Sequence, residues 1–288
     1  MKRNYYPYIL VLPAFILVML FLAYPLAEVF RVSFTDTFLL RPTSGGFVGF
    51  KTYAKVLSSK DFLPMMGRTF IWMGIGTFLS MALGLGIGYF LSFEWTVNRL
   101  LRAVIIIPWI IPPVVSANTW TWILNSRFGV INDLLIRFGI IKEGIAFLGD
   151  PKIAIFALVQ ILIWKNTPIV AILLSAAFQG VPESLTEAAR IDGASGWQIF
   201  TKILFPAISH TFTVVIIMVS IWCIQQFAII WVATQGGPVN STHILPTYIY
   251  EVGFVNYRFG EGGVLSVINI FILVAISIVY LKVFKQDA

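Results

Sequence analysis

Few side chains in this sequence can do chemistry. His210 and His243 lie in separate segments without HxxxH company, and the single cysteine, Cys223, sits inside an apolar run. A metal site needs several such ligands together and a disulfide needs two cysteines, so neither is expected. Ser195 stands in Gly-Ala-Ser-Gly rather than a GxSxG elbow, with no histidine placed beside it. There is no GxxxxGK(S/T) loop to cradle a nucleotide's phosphates. Enzyme chemistry therefore has no constellation to work with. What remains is polar groups in apolar surroundings: Asn118 and Trp122, the run Trp164-Lys165-Asn166-Thr167-Pro168, and Trp222 with Gln225 and Gln226. An amide or ammonium in hydrocarbon is costly, so each should face a bundle interior, a partner or an aqueous path. Gln225 and Gln226 serve a path or merely join helices. Lys165 meets an anionic solute group or an internal partner, and the internal partner is the stronger reading.

One longer polar segment, residues 179–206, interrupts the apolar chain. Pro182 and Glu183 are helix-start signals, and Leu185, Ala188, Ala189 and Ala194 suit a small, closely packed helix surface. Gly193 permits positive φ. Trp197, Phe200, Ile203 and Leu204 then recur at helical spacing. The expectation is helix, glycine bend, helix, lying on a membrane surface. Such an element is either a membrane-hugging connector or a docking element for a soluble partner.

These residues must be positioned by membrane spans. The chain has 288 residues, of which 58% are apolar and 11% charged, and its mean hydropathy is +0.88. An ordinary soluble domain carries roughly 25% charged residues, so an all-α polytopic membrane protein is expected. The long, non-alternating apolar runs oppose a barrel. A span needs about 20 apolar residues, and six segments supply them: about 8–30, 69–91, 103–123, 153–178, 207–232 and 263–281. The first holds Pro13 and Pro25 and is too long for a signal-peptide core, so it is expected to be retained. In the second, Gly84 and Gly88 form a GxxxG face suited to close helix packing, with the partner helix undetermined. Pro108, Pro112 and Pro113 open the third.

Charge says less. The net +7 is scattered with no basic stripe, which makes nucleic-acid binding a poor expectation. With both termini inside, the cytoplasmic bases would be Lys2, Arg3, Arg99, Arg102, Arg190, Lys202, Lys282 and Lys285. The opposite loops hold at least as many, so the positive-inside count is nearly neutral.

Glu187-Ala188-Ala189, followed by Arg190-Ile191-Asp192, Gly193 and the terminal Pro206, resembles the EAA loop of binding-protein-dependent ABC transporter permeases. Phe205 departs from the leucine common before that proline and keeps a large apolar group. The resemblance runs the length of the chain, through Tyr24-Pro25, Ser33-Phe34-Thr35-Asp36, Phe47-Val48-Gly49-Phe50 with Tyr53, Pro108-Trp109 with Pro112-Pro113, and Gly236-Gly237-Pro238 with Asn240-Ser241-Thr242. Lys51, Thr52 and Arg68 depart from it. The closing motifs look most like the carbohydrate-uptake branch and its MalF/UgpA-type subunit.

The resemblance implies a six-span type I importer fold (MetI-like). Residues 1–68 would be a first span with its external loop, and 69–288 a five-span core carrying the 179–206 coupling loop. It implies a permease that forms half of a carbohydrate pathway, in a bacterial or archaeal plasma membrane, with both termini cytoplasmic. Its partners would be a second homologous permease, two nucleotide-binding ATPase subunits that hold the ATP and Mg, an extracytoplasmic solute-binding protein and lipid. Coupling would use Glu187, Ala188, Ala189, Asp192, Gly193 and Pro206. Because rings and amides suit sugar faces, Asn118, Trp122, Trp222, Gln225 and Gln226 are the candidate substrate path. An ion-coupled secondary transporter and a non-transporting assembly subunit are the alternatives.

Overall fold

The computed structural model describes residues 6–93, 95 and 97–284. Lys2, Arg3 and Lys285, three of the bases weighed for orientation, lie outside the described residues. The described residues are helical apart from loops and one isolated bridge between Thr35 and Phe47. The helices are α1 (Tyr6–Val18), α2 (Tyr24–Ser33), α3 (Lys51–Leu57), α4 (Phe62–Ser92), α5 (Asn98–Ile105), α6 (Ile107–Ile110), α7 (Pro113–Ile123), α8 (Val130–Arg137), α9 (Ala154–Gln179), α10 (Glu183–Ile191), α11 (Gly196–Ile199), α12 (Phe205–Ile224), α13 (Ala228–Thr234), α14 (Leu245–Tyr250) and α15 (Phe259–Phe284). Three π-helical turns, Met19–Ala23, Phe200–Leu204 and Glu251–Val255, join neighbouring helices.

Among the described residues, five stretches are long and apolar enough to cross a bilayer: Leu10–Ser33, Phe62–Ser92, Ala154–Gln179, Gly196–Thr234 and Phe259–Val279. The sixth expected span is not a rod. Asn98–Ile110 and Pro113–Ile123 meet at 93°, and a sixth crossing is made only by the bent pair together. The cause is local: neither Pro112 nor Pro113 has an N–H to give, and Ile111 and Pro112 take extended ψ of 129° and 141°.

The second departure is in 179–206. Residues from Trp197 to Leu204 were expected to lie on the surface as a separate helix. Instead Gly196 begins a helical run that passes through the π turn into α12, and Gly196–Thr234, interrupted at 225–227, makes up the fifth span. Pro206 explains the π turn before it. A proline ring collides with the carbonyl four residues back, and widening that turn to π geometry removes the clash. The same arrangement precedes Pro25, after the π turn Met19–Ala23.

Two compact units divide the chain. The first comprises residues 1–64 and 248–272. Its first span buries none of its apolar stretch. At the end of that span Phe34 packs edge-on against Phe50 at 5.4 Å and lies 5.3 Å from Tyr53, whose hydroxyl is 2.8 Å from Ser33 Oγ. Thr52 donates to the Thr35 carbonyl, and Glu261 accepts from both Lys55 (2.8 Å) and Arg258 (3.1 Å). The Ser33–Asp36 and Phe47–Tyr53 motifs are thus two halves of one loop knot.

The second unit comprises residues 65–247 and 273–288. Its hub is α9, whose apolar stretch is 67% buried and against which α6, α7, α12 and α13 pack. The glycine face of α4 lies on α9 as well. A Cβ on Gly84 would sit 2.4 Å from Val170 Cγ1, and one on Gly88 would sit 2.8 Å from the Ala171 carbonyl oxygen. The fourth span is therefore the partner of the GxxxG face. Trp72 donates its indole N–H to the Cys223 carbonyl at 2.8 Å, closing a free end of α12.

Candidate functional sites: a bent surface helix and a broken span

α10 is nine residues long and none of them is buried. Pro182 precedes it in extended conformation and Glu183 occupies its first turn, where a carboxylate faces the positive helix end. The helix ends because Gly193 enters the left-handed region at φ +78°. There the Ala194 N–H donates back to the Ala189 carbonyl (2.9 Å) and the Gly193 N–H to the Arg190 carbonyl (3.1 Å). This is the Schellman closure, which demands a residue at ease with positive φ. The spacing from Ala189 to Gly193 is thus the spacing of a helix stop. Ser195 then opens the next helix through a capping box with Gln198.

The bend leaves an apolar surface in solvent. Ile191 is 86% exposed, Leu185 49% and Trp197 73%. Glu187, Ala188 and Asp192 are exposed beside them, and Ala189 is partly covered. Glu187 lies in the middle of α10, away from both helix ends. Pro206 is exposed at the start of α12.

Lys165 is the opposite case. It is 6% exposed, and its ammonium donates to the carbonyls of Pro108 (3.4 Å), Trp109 (3.0 Å) and Ile111. Those carbonyls lose their helical partners at the Pro112-Pro113 break. The lysine is therefore used inside the chain, and its partners are backbone oxygens. Arg102 works similarly at the end of α4, donating to the Leu91 carbonyl at 2.7 Å. Arg68, one of the departures from the family pattern, donates to the His243 carbonyl at 3.1 Å, and Thr69 accepts the Leu245 N–H at 2.9 Å. The ring of His243 lies against Gly236, where a Cβ would sit 2.0 Å from it. These structural uses of Lys165 and His243 depend on long-range contacts that no local motif signals.

Of the five substrate-path candidates, two line one groove. Asn118 and Trp122 line a groove of about 440 Å³ with Thr119 and Phe128, and the Trp122 and Phe128 rings meet edge-on at 5.9 Å. Trp222 is half-buried against the hydrophobic core, Gln225 is exposed and Gln226 is partly covered; none of the three lines that groove. Among the described residues no cluster of three or more His, Cys, Asp or Glu is placed to hold a metal.

Residues 76–284 match the family described as the binding-protein-dependent transport system inner membrane component. The chain belongs to this family. As a member it is a multi-pass membrane permease and a transporter subunit rather than an enzyme, which sets aside the ion-coupled and non-transporting alternatives. It is 35% identical over 97% of its length to the trehalose/maltose transport system permease protein MalF of Thermococcus litoralis, covering 94% of that protein. It is 30% identical to the diacetylchitobiose uptake system permease protein DasB of Streptomyces coelicolor, over 98% of this chain and 87% of that one. Among solved structures, a bacterial ABC transporter involved in import of the acidic polysaccharide alginate superposes with a TM-score of 0.85 at 21% identity, covering 99% of this permease and 96% of that chain. The MetNI methionine ABC transporter in an inward-facing form gives 0.58 at 17% identity, covering 80% and 99%. The fold is thus that of the type I importer permeases.

Proposed function

We propose that this permease forms half of a carbohydrate-translocation pathway and receives the work of ATP hydrolysis through residues 179–206. The observation that carries this reading is the free apolar face of α10 beside a rigid glycine stop. A helix of nine residues that buries nothing of its own is marginal in water. Its Leu185 and Ile191 would be covered by a cleft in a nucleotide-binding subunit, with Ala188 and Ala189 allowing close approach and Glu187 and Asp192 supplying charge contacts. Pro206 and its π turn tie the docked segment to the fifth span. A push on α10 is thereby delivered to α12.

The reading places 179–206 and both termini in the cytoplasm. It calls for a second homologous permease, two ATPase subunits holding ATP and Mg, and an external solute-binding protein. Carbohydrate is the proposed solute because relatives include permeases of trehalose/maltose, diacetylchitobiose and sn-glycerol-3-phosphate systems. The MalF/UgpA-type assignment rests on the same relatives. Asn118 and Trp122 are the better-supported path residues, since an amide beside two crossed rings matches the polar edge and apolar face of a sugar. Trp222, Gln225 and Gln226 are proposed to line a separate part of the path.

The test is copurification of the intact complex from its native host, identification of every subunit, and ATPase assays in lipid. Stimulation by a binding protein loaded with a mono- or oligosaccharide, or with a glycerophosphate, supports the reading and names the solute. A complex without an ATPase subunit would overturn it.

A further inference from the structure

Two cavities meet at the end of the bundle where α4 and α9 finish. One, of about 620 Å³, is mixed in character: Ser92, Gln179, Glu183, Thr186 and Arg190 share its wall with apolar side chains such as Phe178. The other, of about 440 Å³, is apolar and is lined by Ala82, Leu85, Gly86, Trp197 and Phe200. Tyr89 and Gly196 line both. Ala82, Leu85, Gly86 and Tyr89 recur at the spacing of one helix face, so the apolar cavity is a groove running along α4 into the mixed chamber. Gly86 forms its floor: a Cβ there would meet nothing within 4 Å. Trp197, stacked on Phe200 at 5.8 Å, forms its outer wall.

A chamber that carries charged and polar groups at a span's end, opening onto an apolar groove along the span, has the polarity profile of an amphiphile. We propose that this double cavity binds one phospholipid. An acyl chain lies over Gly86 between α4 and the Trp197–Phe200 pair, and the headgroup enters the chamber behind α10. Among the described residues of the chamber wall, Arg190 is the cation and Glu183 the anion. Seven residues apart on α10, they lie about 10 Å from each other along one side of the helix. Guanidinium suits the phosphate and carboxylate suits an amine, so the pair selects a zwitterionic headgroup such as phosphatidylethanolamine. The proposal needs only that these helices span a bilayer; it does not rest on the coupling reading.

The test is native mass spectrometry of the copurified complex from nanodiscs of equal parts phosphatidylethanolamine and phosphatidylglycerol. The wild type should retain one phosphatidylethanolamine. A Cβ on Gly86 meets no protein within 4 Å, so Gly86→Leu extends into the groove, and excluding two methylene groups of a bound chain is worth about tenfold in affinity. Gly74→Leu is the control: it adds the same bulk to α4 at a glycine that also has open space around it. Retention should fall about tenfold in the first variant and hold in the second. Equal retention in Gly86→Leu and wild type would overturn the proposal, as would equal loss in both variants or retention of phosphatidylglycerol alone. Failure of Gly86→Leu to copurify with the second permease would make the groove a protein interface and would also overturn it.

Discussion

Lys165 and Glu187 are both charged residues in a very apolar chain, and they are used in opposite ways. Lys165 is buried and saturated: its ammonium spans the carbonyls released where the third expected span breaks. Glu187 stands in the open on a helix that buries nothing. The difference teaches how to read a polar residue here. One whose partners are all within the chain holds the fold together. One presented on an exposed, sharply terminated helix is the residue proposed to meet a partner.

The comparison breaks most readily at Lys165. Lys165→Met keeps the volume but leaves the carbonyls it meets unmatched, at about 1–3 kcal/mol for each group stranded in apolar surroundings. It should lower the midpoint of thermal unfolding in detergent more than any other variant proposed here. A wild-type midpoint would show that the break holds itself. Next in size is Gly84→Ala, whose Cβ would lie 2.4 Å from Val170. Overpacking of that kind costs about 1–3 kcal/mol, whereas Gly74→Ala, facing open space, should gain about 1 kcal/mol of helix propensity. Opposite signs in the two unfolding midpoints are expected, and matching signs would contradict the α4–α9 contact.

At the surface the stability effects shrink while functional ones grow. Gly193→Val forces a β-branched residue into φ +78°, a local cost of about 1–2 kcal/mol. Transport should be uncoupled from ATP hydrolysis, or the ATPase lost, in a protein that still folds. Gly193→Asn, better tolerated at that angle, should restore part of the activity. Glu187→Gln should move stability by less than about 0.5 kcal/mol yet weaken retention of the ATPase during washing at moderate salt. Unchanged retention would return Glu187 to the role of a solvated surface charge.

Much of the architecture is legible in apolar runs, because a span must be long and continuous to cross hydrocarbon. The Gly84/Gly88 face and the stop at Gly193 are legible for the same reason: each is a local backbone requirement written in glycine spacing. The 93° turn is not. Pro112-Pro113 announces a break, but the lysine that meets the freed carbonyls comes from more than fifty residues away in sequence. Pro206 was legible as a terminator of the polar segment, while the π turn that lets the helix run through it was not. Of the candidate path, Asn118 and Trp122 share a groove, which their spacing of four on one helix allows. The net +7 carried little information at any level.

The central claim is that α10 is a docking surface, and Ile191→Asp tests it most directly. This residue is 86% exposed, so the substitution should leave the unfolding midpoint of the permease at the wild-type value. Copurification of the complex should then yield the folded permease pair stripped of its nucleotide-binding subunits. Stoichiometric retention of those subunits, with normal ATP-driven uptake, would contradict the account.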